Sequence, residues 1–191
     1  MVFVKWLRVL FYIAIVSLVN SVVDYFPFIP ASISTWVSRG IMAATVFCML
    51  QLAWKNKRYK KAAIFRAVML GCALFTSFLF GSYLLTIAAS VFSFLAVYQE
   101  YNAHSELVAA KNAVLSRKWH NLFYWELAAT ILLSFGSTMA VVLLMSTELQ
   151  LDASRISSMV TLLLKIPQFV IHVVRLLYLR KMIALFLTDE E

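Results

Sequence analysis

Glycine is scarce in this chain, at 4 of 191 residues, and proline scarcer still, at 3. A phosphate-cradling loop needs glycines close together, so that backbone amides can approach the ligand without side chains in the way. Gly40, Gly71, Gly81 and Gly136 are far apart, which argues against a glycine-rich nucleotide site. Cysteine is limited to Cys48 and Cys72, both inside apolar runs. Two such residues make neither a disulfide framework nor a metal-ligand spacing; they read as small hydrophobic packers. Charged residues are few, 14% of the chain against about 25% in soluble domains. Acids are the rarer sign: 9 against 17 bases, a formal net charge of +8. The chain also lacks a Gly-x-Ser-x-Gly elbow, a His-Glu-x-x-His pair and paired intramembrane aspartates, so no catalytic residue, metal or cofactor is expected.

What the chain has in excess is apolar surface. Hydrophobic residues make up 63%, against about 45–50% in soluble proteins. Lipid offers no partner to exposed backbone groups, so such a chain must be helix packed on helix. The sequence therefore predicts an all-α integral membrane protein, a single domain over 1–191 with six spans at about 4–23, 35–54, 62–80, 82–99, 119–145 and 156–178.

The boundaries follow from local chemistry. Pro27 and Pro30 stop the first helix, since two prolines this close cannot continue it. Trp36 and Trp54 mark the ends of the second, where indoles prefer the headgroup layer. From Ala62 to Tyr98 the sequence is almost unbroken apolar. One helix of that length would measure about 55 Å, far beyond a bilayer core of about 30 Å. It must divide, and Gly81-Ser82 is the expected break. The polar stretch 99–120 is expected in the cytoplasm, with a short surface helix from Ser105 to Ser116.

Orientation comes from the bases. Lys5, Arg8, Lys55, Lys57, Arg58, Lys60, Lys61, Arg66, Lys111, Arg117, Lys118, Arg175, Arg180 and Lys181 fall at one side of the six-span plan. Arg39 and Arg155 fall at the other, and Lys165 lies mid-span. The positive-inside bias then puts both termini in the cytoplasm. The positive charge is thus a topology signal, and nucleic acid is not an expected partner. A retained first span is preferred to a cleaved signal peptide because no small-x-small site follows it.

The sharpest polar pattern lies on the sixth helix. Ser158, Thr161, Lys165, Gln168, His172 and Arg175 are spaced by three or four residues, which puts them on one face. A charge at the bilayer centre costs roughly 2.5–3.5 kcal/mol, so this face should look into the bundle. It would line a ligand pocket or, equally well, form an interhelical hydrogen-bond seam. Glu126 is the only acid of the fifth helix and is expected to pair with Arg175 or His172. Asp24 and Arg39 are expected to pair at the outer end. Ser82, Thr86, Ser90 and Ser93 on the fourth helix, with Ala73, Ser77 and Gly81 on the third, read first as small-residue packing faces. Glu100 and His104 are four apart in the polar stretch, but loop histidines are usually solvated.

In size and expected topology the chain is similar to the small substrate-binding membrane subunits of vitamin importers. The likeness is one of outline, and no residue is assigned from it. The expectation is a small transporter, channel or substrate-binding subunit in a membrane, a bacterial plasma membrane being favoured. Its ligand would be small and polar or anionic, held by Lys165, Gln168, His172, Arg175, Glu126, Thr161 and Ser158. The alternatives are a scaffold, sensor or accessory subunit with a partner protein or anionic lipid at the cytoplasmic loop, and an intramembrane lipid-modifying enzyme using Glu126, His120 or His104.

Overall fold

Backbones so rich in leucine, alanine, valine and phenylalanine, and so poor in glycine and proline, have few alternatives to helix. The computed structural model describes residues 2–23, 30–78, 83–146 and 153–188, with backbone alone at 31, 77–78, 134, 137–138, 140–146, 153–162 and 164. The described residues form six helices: α1 (Val2–Val23), α2 (Ala31–Leu52), α3 (Lys57–Phe78), α4 (Tyr83–Ala109), α5 (Ala113–Ser146) and α6 (Ala153–Leu187). Each packs against its neighbours in the chain, and α1 closes against α6. The result is a ring of antiparallel helices in sequence order.

By length and composition, three helices are apolar enough to cross a membrane: Val2–Val23, Ser32–Leu52 and Tyr83–Ala109. This identifies a helical protein with membrane-spanning character. The first three helices have 22 residues each, about 33 Å of rise, close to a bilayer core. The last three have 27, 34 and 35, about 40–52 Å, longer than one.

Two local expectations are corrected. The basic cluster from Lys55 to Lys61 is not a loop: α3 begins at Lys57. Asn56 Oδ1 accepts the Arg58 amide at 2.8 Å, a side-chain cap for an end whose amides have no helical partner. Glu106 on α4 bonds Asn56 Nδ2 at 2.9 Å and Arg58 Nε at 2.5 Å, offsetting bases that oppose the helix dipole there. Nor is there a surface helix from Ser105 to Ser116. α4 runs on to Ala109, a turn follows at Ala110 and Lys111, and α5 begins at Ala113. The apolar residues that suggest such a helix, Leu107, Ala110, Val114 and Leu115, are divided: Leu107 is on α4, Ala110 in the turn, and Val114 and Leu115 on α5. Asn112 Oδ1 accepts the Leu115 amide at 2.8 Å and starts α5. Ser105 Oγ meets the Ser116 carbonyl at 3.0 Å and hydroxyl at 2.9 Å, holding the hairpin closed. The expected break at Gly81-Ser82 lies outside the described residues.

Among the described residues the core is not centred. Phe3, Leu7, Met49, Leu52, Tyr59, Tyr101, Val108, Trp119, Leu179 and Met182 are all buried, and all lie toward the ends of the helices that carry the basic residues. Toward the other end, Trp36, Phe75, Tyr83 and Leu84 are exposed. Packing among the described residues is therefore densest at the basic end.

Candidate functional site

At the heart of this packed end lies Glu100, whose side chain is fully buried. An ionised carboxylate so placed needs partners, and it has two. Arg66 of α3 donates through Nη2 to one carboxylate oxygen, and Arg175 of α6 donates through Nη2 to the other. Three helices thus meet on one carboxylate, and the triad carries one more positive charge than negative.

His104, one turn along α4, is also buried and lies with Nε2 3.7 Å from Glu100 Oε1. Its Nδ1 is 2.7 Å from the Tyr59 hydroxyl. Tyr59 stands on the first turn of α3, outside the expected span. Burial first, and then the charge of Glu100, push its phenol well above the ordinary range. Tyr59 therefore keeps its proton and donates it to Nδ1, which assigns the remaining ring proton to Nε2, facing Glu100. Trp119 covers the other side of the imidazole, with ring centroids 4.4 Å apart.

The expected pairing of Glu126 with Arg175 or His172 is not what forms. Glu126 Oε2 accepts from the Tyr101 hydroxyl, while Arg175 turns to Glu100 and stands 5.8 Å from the Tyr101 ring. The physical reason is burial. Glu100 is the fully enclosed carboxylate and takes both guanidiniums, and the neighbouring phenol suffices for Glu126. The Asp24–Arg39 pairing falls outside the described residues, because Asp24 does; Arg39 Nη2 donates to the Ala73 carbonyl at 3.2 Å.

On α6, Lys165, Gln168, His172 and Arg175 are half-buried, whereas Leu163, Ile166, Phe169 and Val170 are exposed. The side chains of Ser158 and Thr161 lie outside the described residues. Of the polar face, Arg175 is the member that reaches the ion triad.

Above the triad is a cavity of about 170 Å³, enclosed by α1, α2, α3 and α6. Arg66 and Arg175 form its floor, and Ser17, Ser38 and Thr45 add hydroxyls to its wall. Nε of each arginine is buried without a hydrogen-bond partner. From Leu10 to Ser17 the cavity climbs about 10 Å along α1, toward the loosely packed end. A second recess, of about 440 Å³, lies among α3, α4 and α5 and touches α2. Thr86, Ser90, Ser93, Glu126 and Thr130 line it, and Met42 borders both spaces. His120 is exposed and lies 3.5 Å from the Tyr124 hydroxyl. His104, His120 and Glu126 therefore do not share a cavity. No group of three or more metal-capable side chains occurs among the described residues.

Two features escaped the sequence reading. Glu100 and His104 looked like solvated loop residues, yet they sit at the centre of the packing. Their i,i+4 spacing was the available signal, together with the aromatic residues Tyr98, Tyr101 and Trp119 around them. In sequence Arg66 reads only as an orienting charge. Comparison with protein-family models, curated proteins and solved structures finds no match to this chain.

Proposed function

We propose that the chain is a six-span protein of the cell membrane, with both termini in the cytoplasm, that binds a small anion inside its helix ring. A transporter or a substrate-binding membrane subunit would use such a site. The observation that carries this reading is the cavity lined by Arg66 and Arg175, whose shared carboxylate leaves one positive charge in excess. Guanidinium groups match carboxylate and phosphate oxygens in pairs, and about 170 Å³ admits a small oxyanion. Compared with the expectation from sequence, the ligand moves from the level of Lys165 toward that of Arg175.

The test is thermal unfolding of the detergent-purified chain against small oxyanions: phosphate, sulfate, bicarbonate and short carboxylates. One of them should stabilise the protein progressively, by about 2.7 kcal/mol at a hundred times its dissociation constant. Ser17→Leu fills the cavity without touching the triad and should abolish the effect. Flat unfolding temperatures with every anion would sink the reading.

A second reading has its own support. The network from Tyr59 through His104 and Glu100 to both arginines ties α3, α4 and α6 together, as a structural lock would. Buried ion networks can serve mainly to fix register. A scaffold or accessory subunit needs nothing more, and it would show the same fold with a silent cavity.

A further inference from the structure

On the outside of the ring, α5 and α6 part to leave a recess of about 720 Å³. Ala128 and Ala129 remove bulk from the α5 wall, and Pro167 lies on the facing wall of α6. The recess opens outward: Trp125 is 69% exposed, Leu132 51% and Val170 52%. Its walls are apolar along their length, except at one end, where Lys118 and Asn121 stand. Lys118 also borders a second recess, of about 450 Å³, lined by Asn112, Lys181 and Thr188. The two recesses share Lys118, so two ammonium groups and two amides stand at the basic end of the apolar groove.

We infer that this groove holds one anionic phospholipid, its acyl chain between α5 and α6 and its phosphate at Lys118 and Lys181. Length is the first argument. From Lys118 to Leu132 the groove follows α5 for about 21 Å. Half a bilayer core is about 15 Å, and one headgroup layer adds roughly 5–7 Å, so the groove matches one leaflet. Charge is the second. Two ammonium groups at the mouth favour a net-negative headgroup over a zwitterionic one, and they lie at the basic end of the molecule, where the anionic leaflet is expected. Trp125, exposed beside the groove one turn beyond Asn121, suits the interfacial layer. A soluble anion would use the mouth and leave the apolar groove unfilled; a lipid uses both. The inference depends on the membrane reading but not on the interior anion site.

The test is native mass spectrometry of the full chain released from detergent, after incubation with equal amounts of phosphatidylglycerol and phosphatidylcholine carrying identical acyl chains. One phosphatidylglycerol should be retained in preference. The double variant Lys118→Gln/Lys181→Gln should lower its retention about tenfold, through loss of the headgroup charge contacts. Ala128→Phe, which blocks the groove and changes no charge, should lower it comparably. Excess inorganic phosphate should not displace the lipid. Thermal unfolding of each variant, matched to the parent, establishes that the fold is intact. Equal retention of the two lipids, unchanged retention in either variant, or displacement by phosphate would each overturn the inference. Ser17→Leu should leave lipid retention unaltered, so failure of the interior site is distinguishable from failure of this one.

Discussion

Glu100 shows how a single carboxylate can organise a bundle with few acids. Its two oxygens are divided between guanidiniums from α3 and α6, and neither helix has another acid among its described residues. Removing one member of a buried pair leaves the remaining charge uncompensated, at a cost of roughly 3–5 kcal/mol. Glu100→Gln is therefore expected to lower stability by about that amount, measured by denaturation in detergent. The exposed pair Arg58–Glu106 offers the contrast, with side chains 36% and 48% exposed. Arg58→Ala should cost no more than about 1 kcal/mol through lost ion pairing. Equal effects from the two substitutions would mean that Glu100 is hydrated. Tyr59→Phe removes the donor to His104 Nδ1 and should cost about 1–3 kcal/mol, the penalty of an unsatisfied buried acceptor.

At the scale of elements, the helices were legible because the periodic apolar runs and their breakers are local. The prolines near residue 30 and the bilayer-length argument for dividing 62–98 needed no tertiary information. The ends toward the basic side are not legible in this way, because polar residues there have the composition of a solvated loop. Glu100, Asn102, His104 and Ser105 read as loop composition, yet α4 continues through all of them. Asn102 donates to the Tyr98 carbonyl within α4, whereas Glu100, His104 Nδ1 and Ser105 are met by Arg66, Arg175, Tyr59 and the Ser116 backbone. These last partners come from other helices or from the far side of the hairpin, so no window along one helix contains them. The turn itself rests on Asn112. Asn112→Ala should lower stability by about 0.5–2 kcal/mol, with Asn112→Asp nearly neutral. Amide exchange should be slow through Val108 and fast at Ala110 and Lys111. Uniformly fast exchange from 99 to 112 would restore the loop that composition alone implied.

For the whole molecule, the decisive property is the unequal packing of the two ends among the described residues. Between helices in lipid, the hydrophobic effect is absent, and contact rests on van der Waals packing and hydrogen bonds. Beyond the lipid it operates, so in the proposed arrangement a core of Trp119, Tyr59, Leu52 and Met182 would be stable where α4, α5 and α6 project. The proposed topology predicts a sided labelling pattern in a background without Cys48 and Cys72. Lys61→Cys should react with an impermeant thiol reagent only from the cytoplasmic side, and Arg39→Cys only from the other. Ser17→Cys and Ser38→Cys should react with a small water-soluble reagent from the side of Arg39, where the ring is loosely packed. Labelling of Lys61→Cys and Arg39→Cys from the same side would refute the six-span arrangement.

The sequence by itself determined the helical class, the approximate helix limits and the asymmetry of charge. Each depends on composition and on periods of three or four residues, which are properties of the chain read in order. Tertiary structure alone decided which acid each arginine meets. Arg66, Glu100 and Arg175 lie 34 and 75 residues apart in sequence, and any of several carboxylates could have satisfied the arginines on spacing grounds. The choice falls to Glu100 because ring closure between α1 and α6 turns Arg175 inward, where its side chain reaches Glu100 of α4. There, an enclosed carboxylate has no water to solvate it and must take whatever cations the packing supplies.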